Sequence, residues 1–575
     1  MYKKIRIDIL KTLKNTINEE LDISDIKESH IAEFSSSVAF KLAKKSNKNP
    51  RDIAERIAKE IDKKKIFGIR KVDASKGYIN FYIDYNEIVI PLLEKIRDLG
   101  DNYGKSEKKG EKIILEHSSL NPSGPIHIGR LRNSLIGDSL YRILKFNGYD
   151  VETHYYVNDI GKQVAIIAEG FLENIKPDKE IEKKYKGYKD KKDFRIFFEY
   201  VAANKRFEND REFQRRVNEL IRKAEFGDEV ALNMITETAK ECLSGQKEIF
   251  EILDIKFDKF DFESELIKNK NVEKVIKFLK KSEFARETEI GFGLDLSKFG
   301  LKRTDSISIL SRRDGTSVYL TRDIAYHLYK VSMGDIIINV LGEDHKLEFI
   351  ELKTILREIY KIDKKIESVH FSFVNFEGIE LSTRKGQIIP VDFLIDKAIK
   401  KAEKEIEKRK MASIEIAPII GIGAIKYHIL KTAPMKPINF KWSDALNFEG
   451  DSSPYIQYAH ARCCSLLGKS DISVRDIRLS KIDTELEFQM EEKRLILEIL
   501  KFPEIVENAG NELKPNIIAN YLYRLASEFS RFYKQCPVLS ENDSIKKRRL
   551  LIINAVRQII DSGLYLLGIK APTRM

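Results

Sequence analysis

Between Lys112 and Asp150 the spacing of apolar residues changes twice. "KIILEHSS" is a short apolar run of strand length, and the polar loop "LNPSGP" follows it. From about Ile126 the apolar positions Leu131, Leu135, Ile136, Leu140, Ile143 and Leu144 recur at steps of three and four, which predicts a helix with one buried stripe. "DVETHYYVND" then returns to strand character, and this β-loop-α-β opening predicts a parallel α/β sheet. "DIIINVLGEDH" (335–345) restores the same strand-then-helix pattern.

Around this α/β core the pattern differs. In the first hundred residues "IAERIAKEIDKK" reads as an amphipathic helix and "KGYINFYIDY" as an alternating strand, together a small α+β unit. The Gly-, Asp-, Asn- and Lys-rich stretch 98–112 reads as a linker. From about Glu169 to Lys281 the chain is charge-dense and mostly helical in period, as expected of an insertion between halves of the α/β domain. Residues 368–387 read as a hairpin ending in a basic Ser-Thr-Arg-Lys-Gly loop, and after about Asp392 nearly everything to Met575 has helical period. No internal repeat or low-complexity segment interrupts the chain.

A chain of 575 residues exceeds one hydrophobic core, so about three or four domains are expected. With 42% hydrophobic and 33% charged residues the composition is that of a soluble globular protein. The longest apolar stretch, "IEIAPIIGIGAIKYHIL", contains Glu415 and Lys426 and falls short of the ~18 uninterrupted residues of a membrane span, so no membrane association is expected. The N-terminus lacks the continuous apolar run of a signal peptide. Cys242, Cys463, Cys464 and Cys536 form neither a disulfide framework nor a Cys-x-x-Cys zinc spacing, which fits a reducing cytoplasm and no metal site. The formal net charge of +12 suits a polyanionic partner such as nucleic acid, and suits a merely Lys-rich composition equally well.

The loop after "KIILEHSS" lies where an open α/β sheet binds ligands, at the carboxyl end of a strand. The helix beyond it offers unpaired N–H groups and a positive dipole end to phosphate. Gly129 lets a base or ribose approach the helix backbone, and His127 can donate a hydrogen bond to a phosphate oxygen. The competing reading is a helix start with an incidental surface histidine.

The stretch "EHSSLNPSGPIHIGRLRNSLIGD" resembles the His-Ile-Gly-His region of class I aminoacyl-tRNA synthetases, specifically the arginyl-tRNA synthetases. "YYVNDIGKQ" (155–163), "SVYLTRDIAYH" (317–327), "VLGEDHKLEF" (340–349), "LSTRKGQIIPVDFL" (381–394), "SSPYIQYAHARCCSLL" (452–467) and the terminal "LGIKAPTRM" resemble further family segments, in order and spacing. The resemblance implies a Rossmann-type parallel-sheet catalytic domain (106–437) with a helical insertion around 169–281, an α+β N-terminal tRNA-binding domain (1–105) and an all-α anticodon-binding domain (438–575). It implies that L-arginine is activated by ATP to arginyl-adenylate and passed to tRNA(Arg), with Mg²⁺ entering on the ATP phosphates rather than in a protein cage. A cytoplasmic monomer is expected.

By the same resemblance, Glu116, Ser118, Asn121, Tyr319 and Asp323 would hold arginine. Tyr319 and Asp323, four apart on one predicted helix, can face one pocket, and a carboxylate suits a guanidinium. Taken alone, Asp323 reads equally well as half of a helix salt bridge, and Tyr319 as a core residue. His127, Gly129, Gly342, Asp344 and His345 would serve ATP; Arg130, Ser382, Arg384 and Lys385 join His127 as catalytic candidates; Tyr458, Tyr533 and Met575 would meet the anticodon. A tyrosine on a helix is otherwise ordinary half-buried core. Two departures stand out: Arg130 replaces the second motif histidine, and Thr383 replaces the usual loop lysine. The compensating lysine that some family members carry before the motif proline is Gly124 here, so Lys385, Arg384 or Arg130 is expected to supply the charge. A synthetase of other specificity and a non-catalytic tRNA-binding paralogue are the alternatives; the Tyr319/Asp323 pair speaks against the first and the retained Glu116, Asn121 and His127 against the second.

Overall fold

The computed structural model describes residues 1–301, 307–376, 388–411, 413–479, 482–483, 486–539 and 541–575. Its centre is a five-stranded parallel sheet. In chain order the strands and the helices that matter for the site are β1 (Lys112–Glu116), α1 (Ile128–Phe146), β2 (Asp150–Val157), β3 (Lys259–Phe262), α2 (Tyr319–Met333), β4 (Ile336–Gly342), β5 (Lys365–Phe371) and α3 (Val391–Arg409). Spatially the strands run β5-β4-β1-β2-β3. The chain therefore builds outward in one direction from β1, then restarts on the other side of β1 with β4. The reversal places a crevice at the carboxyl ends of β1 and β4, where Glu116 pairs in register with Asn339.

Helix α1 is buried on nearly every side, with Arg130 and Lys145 exposed. The predicted stripe from Leu131 to Leu144 faces the core, but Arg132, Asn133, Ser134, Asp138, Ser139 and Arg142 are buried too. Their polar atoms are spent inside the protein, as burial requires. Asn133 accepts from the Ser118 N–H at 2.8 Å, and Ser139 Oγ donates to the Leu566 carbonyl at 2.8 Å.

Three expectations change. First, the charge-dense run is helical from Lys162 to Ile252, but β3 interrupts it and joins the sheet edge beside β2. Between β3 and α2 lies a three-stranded antiparallel sheet (Ala285–Glu287, Gly291–Asp295, Ile307–Arg312) that the charge pattern hid. Second, the described part of the predicted hairpin, 368–376, does not pair with itself: β5 pairs in parallel with β4, whereas Val374–Phe376 pairs in parallel with Ile438–Phe440, and 377–387 lie outside the described residues. The buried Arg132 marks the break, donating to the Ser372 carbonyl at 2.7 Å and the Ala433 carbonyl at 3.0 Å. Third, the linker 98–112 is bound to its surroundings. Tyr103 is buried with its hydroxyl on the Ile499 carbonyl, and Ser106 and Lys109 donate N–H bonds to Phe146 and Gly148.

The N-terminal unit is a four-stranded antiparallel sheet covered by helices, with "YINFYI" (78–83) as an inner strand. It contacts the C-terminal helices through Lys3–Glu507 at 2.7 Å and Lys501–Glu28 at 2.9 Å. The last part of the chain is helical, including α4 (Ser453–Lys469), α5 (Asn516–Gln535) and α6 (Asp543–Leu566). No described helix is long and apolar enough to cross a membrane.

Candidate active site

His127 is the N-cap residue of α1 and makes no side-chain cap bond. Its buried Nδ1 has no hydrogen-bond partner among the described residues. Burial, assisted by Arg130, pushes the imidazole down to about 3, so the ring is neutral at physiological pH and acts as a hydrogen-bonding group rather than a cation. Gly129 lies half-buried in the first turn and Arg130 is exposed. The start of α1 is tied to the segment following the basic loop: Ile128 donates to the Ile389 carbonyl at 3.1 Å and Val391 to the Ile126 carbonyl at 2.8 Å. Ser382, Thr383, Arg384 and Lys385 themselves lie outside the described residues. Gly124 has φ +155°, and a Cβ there would stand 2.9 Å from Phe197 Cβ, so a lysine at this position would collide with an insertion helix.

The acidic side is built on α2. Asp323 is half-buried, and its carboxylate has no hydrogen bond or ion pair with any described residue. Burial first, then the Glu116 charge, push it up to about 7, with Lys330 pulling the other way. The two carboxylates near it are paired within the protein. Glu116 accepts from Lys330 Nζ at 2.5 Å and from Ser119 Oγ at 3.1 Å. Glu263 is bound by Arg322 at 2.8 Å, both side chains buried. Tyr156 stacks on Tyr326 at 4.5 Å, and its buried hydroxyl lies in the field of Glu263 and Asp323.

The structure brings some predicted residues together and separates others. Tyr319, half-exposed at the start of α2, shares a cavity of about 320 Å³ with Asn121, Asn158, Lys162, Gln163 and Asn204. Neither His127 nor Asp323 is among the described residues lining that cavity. Ser118 faces away from solvent: its φ is +67° and its hydroxyl bonds Ser134 Oγ at 2.8 Å, so that hydroxyl is already committed to holding α1. Its neighbour Ser119 is the one that reaches Glu116. Gly342 ends β4, where a Cβ would stand 2.3 Å from Asp344 Oδ1. His345 bonds Glu348 at 2.9 Å, which together with Asp344 raises the imidazole above its ordinary value. Lys330, Glu263, Arg322 and Tyr156 were not anticipated. Lys330 had a signal, since it lies two helical turns beyond Asp323 on the same face; Glu263 had none, being sixty residues away from it.

On the helical domain, Tyr458 and Tyr533 come together although α4 and α5 bring them from distant sequence. The Arg462 guanidinium lies 4.5 Å from one ring and 4.4 Å from the other, and both tyrosines remain over a third exposed. Met575 packs against a separate apolar cluster that includes Ala402, Ile406 and Phe448. The tail leading to it is fixed to α4 by Gln457 on the Lys570 carbonyl and His460 on the Pro572 carbonyl, both at 2.9 Å.

Comparison with known proteins agrees with this architecture. Residues 93–442 match the family described as tRNA synthetases class I (R), catalytic domain. Residues 3–83 match the arginyl tRNA synthetase N terminal domain, and 456–575 the DALR anticodon binding domain. The chain is 41% identical to the arginine–tRNA ligase of Methanocaldococcus jannaschii over 99% of its own length and 100% of that protein's. It is 37% identical to the arginine–tRNA ligase of Methanocella arvoryzae, covering 100% of each. In fold it is similar to the solved Thermus thermophilus arginyl-tRNA synthetase, with a TM-score of 0.80 at 24% identity, 99% of this chain and 100% of that one being covered. With a Rossmann-type sheet, a matched catalytic region spanning more than half its length and full-length relatives near 40% identity, the chain belongs to the arginyl-tRNA synthetase family of class I aminoacyl-tRNA synthetases.

Proposed function

We propose that the arginine–tRNA ligase activity of this protein runs at the carboxyl edge of β1 and β4, with Asp323 receiving the substrate guanidinium. The observation that carries this reading is the Asp323 carboxylate itself, half-buried and without a partner among the described residues, while Glu116 and Glu263 each have one. A planar cation bringing several donors satisfies such a group at once. Tyr319 and Asn121 complete the arginine side, with Glu116 holding the α-amino end beside Lys330.

The arginine carboxylate attacks the α-phosphate of ATP, releasing diphosphate, and the adenylate then passes to the 2′-hydroxyl of the terminal adenosine of tRNA(Arg), releasing AMP. His127 hydrogen-bonds phosphate oxygen as a neutral ring, Gly129 leaves room for the nucleotide, and Gly342, Asp344 and His345 border adenine and ribose. The protein contributes positioning and electrostatics more than covalent chemistry. Mg²⁺ accompanies ATP on its phosphates; no cluster of three or more ligating side chains occurs among the described residues, and no step is assigned to the ion. Tyr458, Tyr533 and Met575 take the anticodon end of tRNA(Arg), and the protein works as a cytoplasmic monomer.

The test is ATP–diphosphate exchange with each amino acid, with tRNA(Arg) present. Wild type is expected to exchange with arginine alone, and Asp323→Asn with arginine at a rate lower by a factor on the order of 10³. Undiminished arginine-dependent exchange in Asp323→Asn contradicts the assignment.

A further inference from the structure

Lys330 is fully buried on α2, and nothing in the adenylation chemistry calls for it. Its ammonium lies 2.5 Å from Glu116 Oε2, 2.6 Å from Asn339 Oδ1 and 4.4 Å from the centre of the Tyr326 ring. Glu116 and Asn339 are register partners on β1 and β4, so Lys330 reaches from the helix onto the two strands that flank the crevice. Burying an ion pair costs several kcal/mol per ion and returns little net stability. A hydrophobic pair would hold α2 to the sheet as well, so the ions need another reason to be there.

We propose that Lys330 is a positioning residue that sets the charge of the arginine site: by pairing with Glu116 inside the protein, it leaves Asp323 as the carboxylate that the substrate guanidinium neutralises. This rests on the reading of Asp323 given above. Of the carboxylates that act on Asp323, Glu116 is paired with Lys330, Glu263 with Arg322 and Glu348 with His345. That leaves the Asp323 carboxylate for the positive charge of an arginine side chain, and a neutral analogue of the same shape is rejected. The same pairing governs ionisation. The groups around Asp323 are Glu116 on β1, Tyr156 on β2, Glu263 beyond β3, Arg322, His327 and Lys330 on α2, and His345 and Glu348 beyond β4. Of these, Glu116 disfavours a charged Asp323 most strongly and Lys330 favours it. Losing the lysine leaves two like charges close together, and the site then takes up a proton instead of arginine.

The experiment is the pH dependence of kcat/KM for arginine in the full-length enzyme with saturating ATP and tRNA(Arg). Wild type is expected to lose arginine efficiency as pH falls through about 7, where Asp323 protonates. Lys330→Met moves that limb up by about one pH unit or more, with the KM for ATP unchanged, and Lys330→Arg keeps it in place. Glu116→Gln, which retains the lysine and removes the repelling charge, moves the limb down, so the inference stays testable if Lys330→Met does not fold. Limbs that stay at the wild-type pH in Lys330→Met or Glu116→Gln, with kcat lowered uniformly, make these residues merely structural and overturn the inference. Asp323→Asn separates the two failures: if it keeps wild-type efficiency the site reading itself falls, whereas a strongly impaired Asp323→Asn with unmoved limbs sinks only the role of Lys330.

Discussion

The proposed arginine end and the proposed anticodon end solve opposite problems. Around Asp323 the charges are buried, and Lys330–Glu116 and Arg322–Glu263 are matched pair by pair. Around Arg462 a single cation lies against two tyrosine rings that remain open to solvent. A charged side chain is recognised by a site whose neighbouring carboxylates are already paired, because each unbalanced buried charge is expensive. An anticodon presents flat faces, and exposed aromatic rings beside a guanidinium meet them at little desolvation cost. Selectivity at the first site is therefore electrostatic and sensitive to pH, and at the second is a matter of stacking area and salt.

The largest expected effect is at the first site. Asp323→Asn should lower kcat/KM for arginine by a factor on the order of 10³, about 4 kcal/mol, as expected when one partner of a buried charge pair is removed. Steady-state aminoacylation checks this, and the KM for tRNA should not move; a matching rise in tRNA KM would break the separation of the two ends. Next, Tyr458→Ala and Tyr533→Ala should each weaken tRNA(Arg) by about 1–3 kcal/mol, read as a rise in tRNA KM with arginine KM unchanged. Smaller again, taking wild type from pH 7 to pH 6 should weaken arginine about fivefold, since the guanidinium needs the ionised form of a group titrating near 7. The affinity is whole above that pH and lost below it, while tRNA affinity should show no such limb. Least of all, Lys3→Met removes an exposed ion pair to Glu507 and should cost less than about 1 kcal/mol in thermal unfolding, with neither substrate affected.

How far the chain could be read before its structure was known follows the same division between local and long-range physics. Leu131 to Leu144 announced α1 because helical burial repeats every three or four residues, and all six stripe positions are buried. What the period could not show is that the opposite face of α1 is buried as well, since Asn133 and Ser139 have their partners on the β1 loop and at Leu566. β3 escaped notice because "KFDF" is a four-residue edge strand with no apolar run. At the proposed site, the spacing put Asp323 and Tyr319 on one helix, as α2 bears out, but the cavity that takes Tyr319 is not lined by Asp323. The state of Asp323 was not legible, because it depends on Glu116, more than two hundred residues earlier, and on Glu263. Ser118 came from the resemblance alone, and no sequence pattern shows that its positive φ turns the hydroxyl toward Ser134 and leaves Ser119 beside Glu116.

The central claim is that Asp323, without a partner among the described residues and half-protonated near neutrality, ionises when arginine binds. Calorimetry of L-arginine binding to the tRNA(Arg)-bound protein at pH 6.5, repeated in buffers of different ionisation enthalpy, counts the protons released. With Asp323 at about 7 the account predicts release of about three-quarters of a proton. Arginine binding to wild type with no proton release would contradict it.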